Sequence, residues 1–432
     1  EPLLRAALAG MTRTLGRDDG DTQIAINSLA VLLHHLGRLD EAESLYREAA
    51  ALGERAFGPE HPDTLTALAN VASVLRSRGD LEAAEELMAR TYDRVLGVFG
   101  ETHPKPGEVA GTLGEIYADQ GRFQAARPLL ETALAITSGV EGDGTVDVAR
   151  MKRNLAITLG RLGETTRAIE LLRDVVRVRT SLLGAEHRDT LIATLDLANA
   201  LVKDRQFDAA EPLFRDLVAT CVRAVGEDDG TTIIATNSYA VMLMSQERYA
   251  DAEPYLLDAL AAGRRVQGEE HPNTVITELN HVAALREMGR LGEAAALGPG
   301  CIDRFEGVFG PRHPNTAVAR GSYAQTLIGL RRHEEAEREL LLAIDIRKAA
   351  TGEDNPTFAS DALRLARLMI DDGRLEDAEA VLREVEVTYR RARGDDARAV
   401  AEARVEIGRC RWQQRRFAEA EPLLLHGALA LE

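Results

Sequence analysis

Two residue columns recur every 42 positions through the whole chain and leave little freedom in what it can become. Glycine stands at 16, 58, 100, 142, 184, 226, 268, 310, 352 and 394, and alanine at 42, 84, 126, 168, 210, 252, 294, 336, 378 and 420. A motif travels with them. Gly-Pro-Glu-His-Pro-Asp-Thr at 58–64 returns as Gly-Glu-Thr-His-Pro at 100–104, Gly-Ala-Glu-His-Arg-Asp-Thr at 184–190, Gly-Glu-Glu-His-Pro-Asn-Thr at 268–274 and Gly-Pro-Arg-His-Pro-Asn-Thr at 310–316. A strict period of this length marks a stack of like units, each burying its apolar face against its neighbours. The 432 residues therefore read as one array, not as the two or three globular domains their number suggests.

Each unit reads as two helices. Between Pro62 and Ser77 the apolar residues Leu65, Leu68, Val71, Ala72 and Leu75 follow the helical period. Arg78-Gly79-Asp80 interrupts it, and Leu81, Ala84, Leu87, Met88, Thr91 and Val95 resume it. Pro62 suits a first helical turn, where its missing N–H costs nothing. Asp63, Asp189, Asn273 and Asn315 are placed to cap or charge that turn. The unit-end glycine suits the left-handed residue after a helix C-terminus. Each helix should run ~16 residues, or ~24 Å. Gly298-Pro299-Gly300 falls inside the second helix of the seventh unit and predicts a kink or break there, a local defect or hinge. Cys301 sits in a column of mostly small residues and is expected in the core.

The alanine column lies one turn into the second helix, where the helices of a hairpin approach closely and a larger side chain would force them apart. A second small column runs through the first helices: Ala30, Ala72, Gly114, Ala156, Ala198, Ala240, Ala324, Ala366 and Gly408, with Val282 the exception. The position opening the second helix is mostly bulky: Leu39, Leu81, Phe123, Phe207, Tyr249, Leu291, Leu375 and Phe417, with Thr165 and His333 departing. Small residue, bulky opener and alanine three residues later resemble a tetratricopeptide repeat. The 42-residue unit, the His-Pro-Asp-Thr lead-in, Leu-Ala-Asn-Val-Ala and Glu-Ala-Ala-Glu-Glu-Leu resemble the longer repeat of kinesin light chain and of arrays in larger bacterial proteins. The resemblance covers the whole chain and implies an all-α solenoid, a right-handed superhelix of about ten hairpins. Residues 1–16 would be an orphan second helix. Repeats would follow at about 19–60, 61–102, 103–144, 145–186, 187–228, 229–270, 271–312, 313–354, 355–396 and 397–432.

Composition and motifs narrow the chemistry. Lys and Arg number 52 against 70 Asp and Glu, a net charge of −18, and aromatic residues make up only 4%. Neither a counterion-displacing basic surface nor a base-stacking platform is present, which argues against nucleic acid as a partner. No apolar run reaches the ~18–20 residues of a membrane span. Cys221, Cys301 and Cys410 have unrelated spacings, so no disulfide framework or zinc site is expected, and a cytoplasmic setting fits. The motif histidines 61, 103, 187, 271 and 313 occur once per unit, roughly 10 Å apart by helix packing, and cannot converge on a metal. His34-His35 has no carboxylate or Cys partner at helical spacing. No nucleophile elbow, P-loop, dinucleotide fingerprint or kinase signature occurs. The expectation is a chain that is not an enzyme and needs no cofactor.

In the family that this chain resembles, the first helices line a concave face that holds extended peptides. One column on that face is polar at all ten positions: Ser28, Asn70, Thr112, Asn154, Asp196, Ser238, Asn280, Ser322, Arg364 and Glu406. Short side chains there suit an extended peptide backbone, and the resemblance implies that role for Asn70, Asn154 and Asn280. Neighbouring columns, including Ile24, Ile192, Ile234, Ile276, Val318, Asn237 and Asn199, would set specificity. Two basic patches are candidates for a carboxylate partner: Arg150, Arg153, Asn154 and Arg161 in the fourth unit, and Arg364, Arg367, Arg409 and Trp412 in the last two. Charge reversal at Arg150 and Arg153 is expected to abolish partner binding and leave the array folded.

Glu-Pro-Leu-Leu at 1–4 aligns with Glu-Pro-Leu-Leu at 421–424. The chain thus holds ten units and a 12-residue remainder, and both ends fall inside hairpins, as expected of a fragment. The leading expectation is a non-catalytic protein- or peptide-binding scaffold. The alternative is the sensing region of a larger signalling protein, a nucleotide-switch ATPase or Ser/Thr kinase, whose catalytic part lies elsewhere. Uncapped ends also allow end-to-end or homo-oligomeric association.

Overall fold

The computed structural model describes residues 1–101, 103–352, 355–393 and 398–429. Among these it holds 21 α-helices, one short 3₁₀ turn (Pro356–Phe358) and no strand. In chain order the helices are α1 (Pro2–Thr14), α2 (Gly20–His35), α3 (Leu39–Phe57), α4 (Pro62–Arg78), α5 (Leu81–Phe99), α6 (Pro104–Asp119), α7 (Phe123–Glu141), α8 (Val146–Leu162), α9 (Thr165–Leu183), α10 (Arg188–Lys203) and α11 (Phe207–Val225). They continue as α12 (Gly230–Ser245), α13 (Tyr249–Val266), α14 (Pro272–Glu287), α15 (Leu291–Phe309), α16 (Pro314–Gly329), α17 (His333–Thr351), α18 (Ala359–Asp371), α19 (Leu375–Arg393), α20 (Arg398–Gln413) and α21 (Phe417–Leu429). Even-numbered helices are the first of each hairpin and odd-numbered ones the second. The fold is an α-solenoid whose packing divides into two compact units, residues 1–213 and residues from Phe214 onward, with the division inside α11.

The small columns lock each hairpin. All ten alanines of the fixed column are at most 1% exposed. Their partners are the small residues of the first helix: a Cβ added to Gly114 would lie 3.3 Å from the Ala126 carbonyl oxygen and 2.8 Å from Leu130 Cγ. At Gly408 the same atom would lie 3.4 Å from the Ala420 oxygen and 2.8 Å from Leu424 Cγ. The bulky opener is the first residue of its helix from Leu39 to Phe417.

The motif histidines turn out to be the caps. Nδ1 of His61, His103, His187, His271 and His313 accepts the backbone N–H two residues on, at 3.3, 3.1, 3.2, 3.2 and 3.1 Å. Asp19 and Asp229 do the same in units without the histidine. Of the two roles expected for Asp63, Asp189, Asn273 and Asn315, capping falls to the histidine, while Asp63 and Asp189 charge the first turn. Phe57, Phe99 and Phe309 at the preceding helix ends lie against His61, His103 and His313 with ring centroids 4.6, 4.5 and 5.2 Å apart.

Two expectations need correction. The unit-end glycine has positive φ but not the left-handed helical conformation: Gly58 has φ 96° and ψ 167°, and Gly310 φ 98° and ψ 153°. That region is accessible essentially to glycine alone, which explains the column. The same column's Gly394 lies outside the described residues. The left-handed residue sits instead at the turn inside the hairpin, as in Gly79 with φ 84° and ψ 6°. Nor is the second helix broken at Gly298-Pro299-Gly300, since α15 runs from Leu291 to Phe309. Gly298 has a packing reason: a Cβ there would lie 2.1 Å from Tyr323 Cδ2, so the glycine admits the ring. Tyr323 joins buried Cys301, Ile302 and Phe305 in one cluster, and this packing holds the helix across its proline.

Successive hairpins are stapled by ion pairs at a spacing of 37 residues, too long to stand out in any single helical stretch of the sequence. Glu1–Arg38 (2.6 Å), Glu85–Arg122 (2.7 Å), Glu253–Arg290 (2.6 Å), Glu337–Arg374 (2.7 Å) and Glu379–Arg416 (3.3 Å) share one polarity. Arg127–Glu164 (2.6 Å) occupies the same positions with the charges exchanged.

Candidate functional site

The polar column of the first helices is half-buried at eight positions and buried at two, and hydrogen bonds join neighbouring first helices through it. Asn70 on α4 donates from Nδ2 to Asn27 Oδ1 on α2 at 3.1 Å. Asn280 on α14 donates likewise to Asn237 on α12 at 3.0 Å. Asn154 on α8 donates to Glu115 on α6, and Arg153 on α8 pairs with Asp196 on α10. In the second unit Arg286 donates to Ser322 Oγ at 3.1 Å, and Arg367 on α18 bonds Glu406 on α20 at 2.7 Å. The ladder expected to meet a peptide is therefore first a ladder between neighbouring helices.

Not every rung faces outward. Ser322 and Glu406 are buried. The hydroxyls of Ser28 and Thr112 turn back to carbonyl oxygens of their own helices, Ile24 at 2.8 Å and Glu108 at 3.2 Å. Ser238 is half-buried on α12. Beside the column Ile24 is exposed in the first unit, and Ile234, Ile276 and Val318 are exposed in the second, where they form an apolar edge.

Most arginines of the two basic patches are paired; among them Arg161 alone is exposed with no ion pair among the described residues. Arg150 contacts Glu115 at 3.1 Å and Asp147 at 3.7 Å, and Arg153 is taken by Asp196. Asp196 has its pKa raised by burial, a shift that Arg153 opposes but does not cancel. Behind them Arg179 is buried on α9, donates to the Asp189 carbonyl oxygen at 2.8 Å, and has its pKa lowered by burial. In the last units Arg364 pairs with buried Asp361 at 2.9 Å, and Arg367 and Arg409 both bind Glu406, at 2.7 and 2.9 Å. Charge reversal at Arg150 and Arg153 would thus set like charges against Glu115 and Asp196 and disturb the array itself. A local sequence window shows the arginines, but not the carboxylates one repeat away. Trp412 is exposed and packs edge-on against Phe417 at 4.8 Å. Asn199 is exposed at a cavity of about 190 Å³ that Asp196, Thr165 and Lys203 also line.

The Asn pairs belong to a longer repetition. Asp19, Ile24, Asn27, Ser28 and Asn70 of the first unit recur as Asp229, Ile234, Asn237, Ser238 and Asn280, each 210 positions on. The first-unit copy borders a cavity of about 240 Å³ between α2 and α4, lined by Asp21, Ile24, Asn27, Ala49, Phe57, Asp63, Thr66 and Ala67 among others. A second cavity of about 110 Å³ follows between α4 and α6, and Thr66 borders both. Asp21, Phe57 and Thr66 do not stand out in the sequence, because first-turn acids and helix-end phenylalanines have ordinary structural roles. The signal available was the recurrence at 210 positions.

No group of three or more His, Cys, Asp or Glu among the described residues is placed to hold a metal ion. Among them no helix is long and apolar enough to cross a membrane. The three cysteines are buried and unpaired, and burial pushes their thiols up, Cys221 and Cys410 to about 11 and Cys301 to about 12.

A sequence model of the tetratricopeptide repeat matches residues 21–96, 66–138, 147–221, 231–298 and 276–349, and a second one matches residues 112–180. No curated protein matches. Among solved structures, the apo quorum sensor NprR of B. thuringiensis is 15% identical with a TM-score of 0.56, over 96% of this chain and 99% of that one. A Rap protein complexed with Competence and Sporulation Factor is 13% identical with a TM-score of 0.50, over 93% of this chain and 100% of that one. Nearly identical TPR-like repeats from a Podosopora anserina chain assigned as a kinesin light chain are 24% identical with a TM-score of 0.41, over 46% of this chain and 94% of that one.

Proposed function

The chain belongs to the tetratricopeptide repeat family, and from that premise we propose that it is a non-catalytic scaffold holding an extended peptide or protein segment against its first helices. The observation that carries this reading is what the Asn pairs leave over. In each pair one Nδ2–H and one Oδ1 satisfy each other. The Oδ1 of Asn70 and Asn280 and the Nδ2 of Asn27 and Asn237 have no partner among the described residues. Each pair thus presents an acceptor and a donor side by side, the complement of a peptide group's N–H and C=O. Ile24 and Ile234 place apolar surface beside them, so one extended segment can meet both polar and apolar needs.

The two copies support two such stations, one in each unit. The similarity to a Rap protein crystallised with a bound factor fits a fold able to hold a partner. The buried, unpaired cysteines suit the reducing cytoplasm. The test is selection of a random twelve-residue peptide library on the intact chain. Enriched peptides should lose affinity for Asn70→Leu or Asn280→Leu while the array stays folded. Peptides indifferent to both substitutions would move the site off these helices.

A further inference from the structure

Resting on that reading, we propose that the α2–α4 cavity of the first unit is a subsite for an Arg or Lys side chain of the bound segment. Its apolar lining is Ile24, Ala49, Phe57 and Ala67, and Asp21 and Asp63 also line it. Neither carboxylate is matched by a cation. Asp21 makes no ion pair among the described residues. The nearest basic group to Asp63 is His61 Nδ1 at 3.7 Å, and that nitrogen accepts the Asp63 backbone N–H, so it presents a lone pair and not a proton. Deeper in the column the carboxylates are taken: Glu115 by Arg76 and Arg150, Asp196 by Arg153, Glu406 by Arg367 and Arg409. Asp189, equivalent to Asp63, likewise has only its motif histidine nearby, at 3.9 Å, but the position equivalent to Asp21 beside it is Asp147, which faces Arg150. A long basic side chain meets both halves of the cavity, laying its methylenes on Ile24 and Phe57 and its charged head against the two carboxylates.

The second unit shows what the same frame looks like without the charge. Positions 21, 57 and 63 become Thr231, Gln267 and Asn273, while the Asn pair and the exposed Ile are kept. The Gln267 amide reaches toward Gly230, 3.6 Å from where a Cβ would stand. First turns of the fold do not require acid, as Lys105, Thr231, Asn273 and Asn315 show at the equivalent position. The first unit therefore selects a basic residue and the second an uncharged one.

The selected library decides it, with the intact chain, the double variant Asp21→Thr/Asp63→Asn that carries the second unit's residues, and Thr66→Trp, which fills the cavity without changing charge. Peptides sharing one Lys or Arg are expected. Their affinity should fall about tenfold or more on the double variant, fall again with rising salt, and be lost on Thr66→Trp. Peptides that depend on Asn70 or Asn280, yet share no basic residue or bind the double variant equally well, overturn the subsite and leave the scaffold reading intact. Failure to enrich any peptide on the intact chain overturns both.

Discussion

Asn280 donates from Nδ2 to Oδ1 of Asn237 at 3.0 Å, tying α14 to α12 through half-buried side chains. Its amide has a structural job on one side and an open carbonyl on the other. Asn280→Ala removes the staple, at a cost of about 0.5–1.5 kcal/mol, and removes the outward acceptor with it. Asn280→Asp keeps an acceptor but takes away the donor that Asn237 needs. Urea unfolding and peptide affinity should therefore separate. Both variants lose stability, and Ala loses more peptide affinity than Asp. Equal affinity loss in the two would deny the carbonyl a role.

The exchanged pair Arg127–Glu164 gives a clean exchange experiment. Both side chains are partly exposed, so the coupling is small, about 0.2–1 kcal/mol. Arg127→Glu alone should destabilise, and adding Glu164→Arg should restore stability while recreating the polarity of Glu85–Arg122. A double-mutant cycle by chemical denaturation measures it. A double variant no more stable than the sum of its singles would show that the pairs do not staple the hairpins.

Gly298 and Tyr323 form a size match. Gly298→Ala forces a methyl group into the ring of Tyr323 and should cost about 1–3 kcal/mol. The residues equivalent to Tyr323 include Leu29, Leu113, Leu155, Leu197 and Leu365. Tyr323→Leu in the Gly298→Ala background should recover much of that loss. Thermal unfolding of the four chains checks it, and an unaffected single variant would return the glycine to the role of a hinge.

The turn inside the hairpin carries a glycine in most units, as at Gly79 and Gly163, but Arg205, Glu247, Arg331 and Arg415 take positive φ there at 59, 62, 59 and 61°. A non-glycine residue held there costs of order 1 kcal/mol. Arg205→Gly should raise stability by up to that amount in urea titration, against the usual tendency of surface arginine removal to do little. A drop in stability would mean that the arginine makes contacts worth more than its strain.

How far the residues alone predict this molecule differs by level. The 42-residue columns dictate the helix pairs because burial and close approach act at fixed spacing: Ala126 must be small where it meets Gly114, and no distant residue can change that. The caps are half legible. The His-Pro motif marks the helix start, but which side chain accepts the N–H depends on loop geometry: His61 takes it, and Asp63 is left to charge the first turn. The face for a partner is least legible. Its charge is settled by pairs one repeat apart, such as Arg153 with Asp196 and Asn154 with Glu115, which no single helical window brings together. Arg150 and Arg153, basic in the sequence, are thus held by carboxylates in the structure, while Asp21 and Asp63, ordinary in sequence, remain without a Lys or Arg partner.

The most direct test is a crystal structure of the intact chain with a peptide selected from the random library. The peptide should lie across the even-numbered helices, its main chain hydrogen-bonded to the Asn27–Asn70 or Asn237–Asn280 pair. A peptide seated on the odd-numbered helices, with both Asn pairs untouched, would contradict the first-helix scaffold.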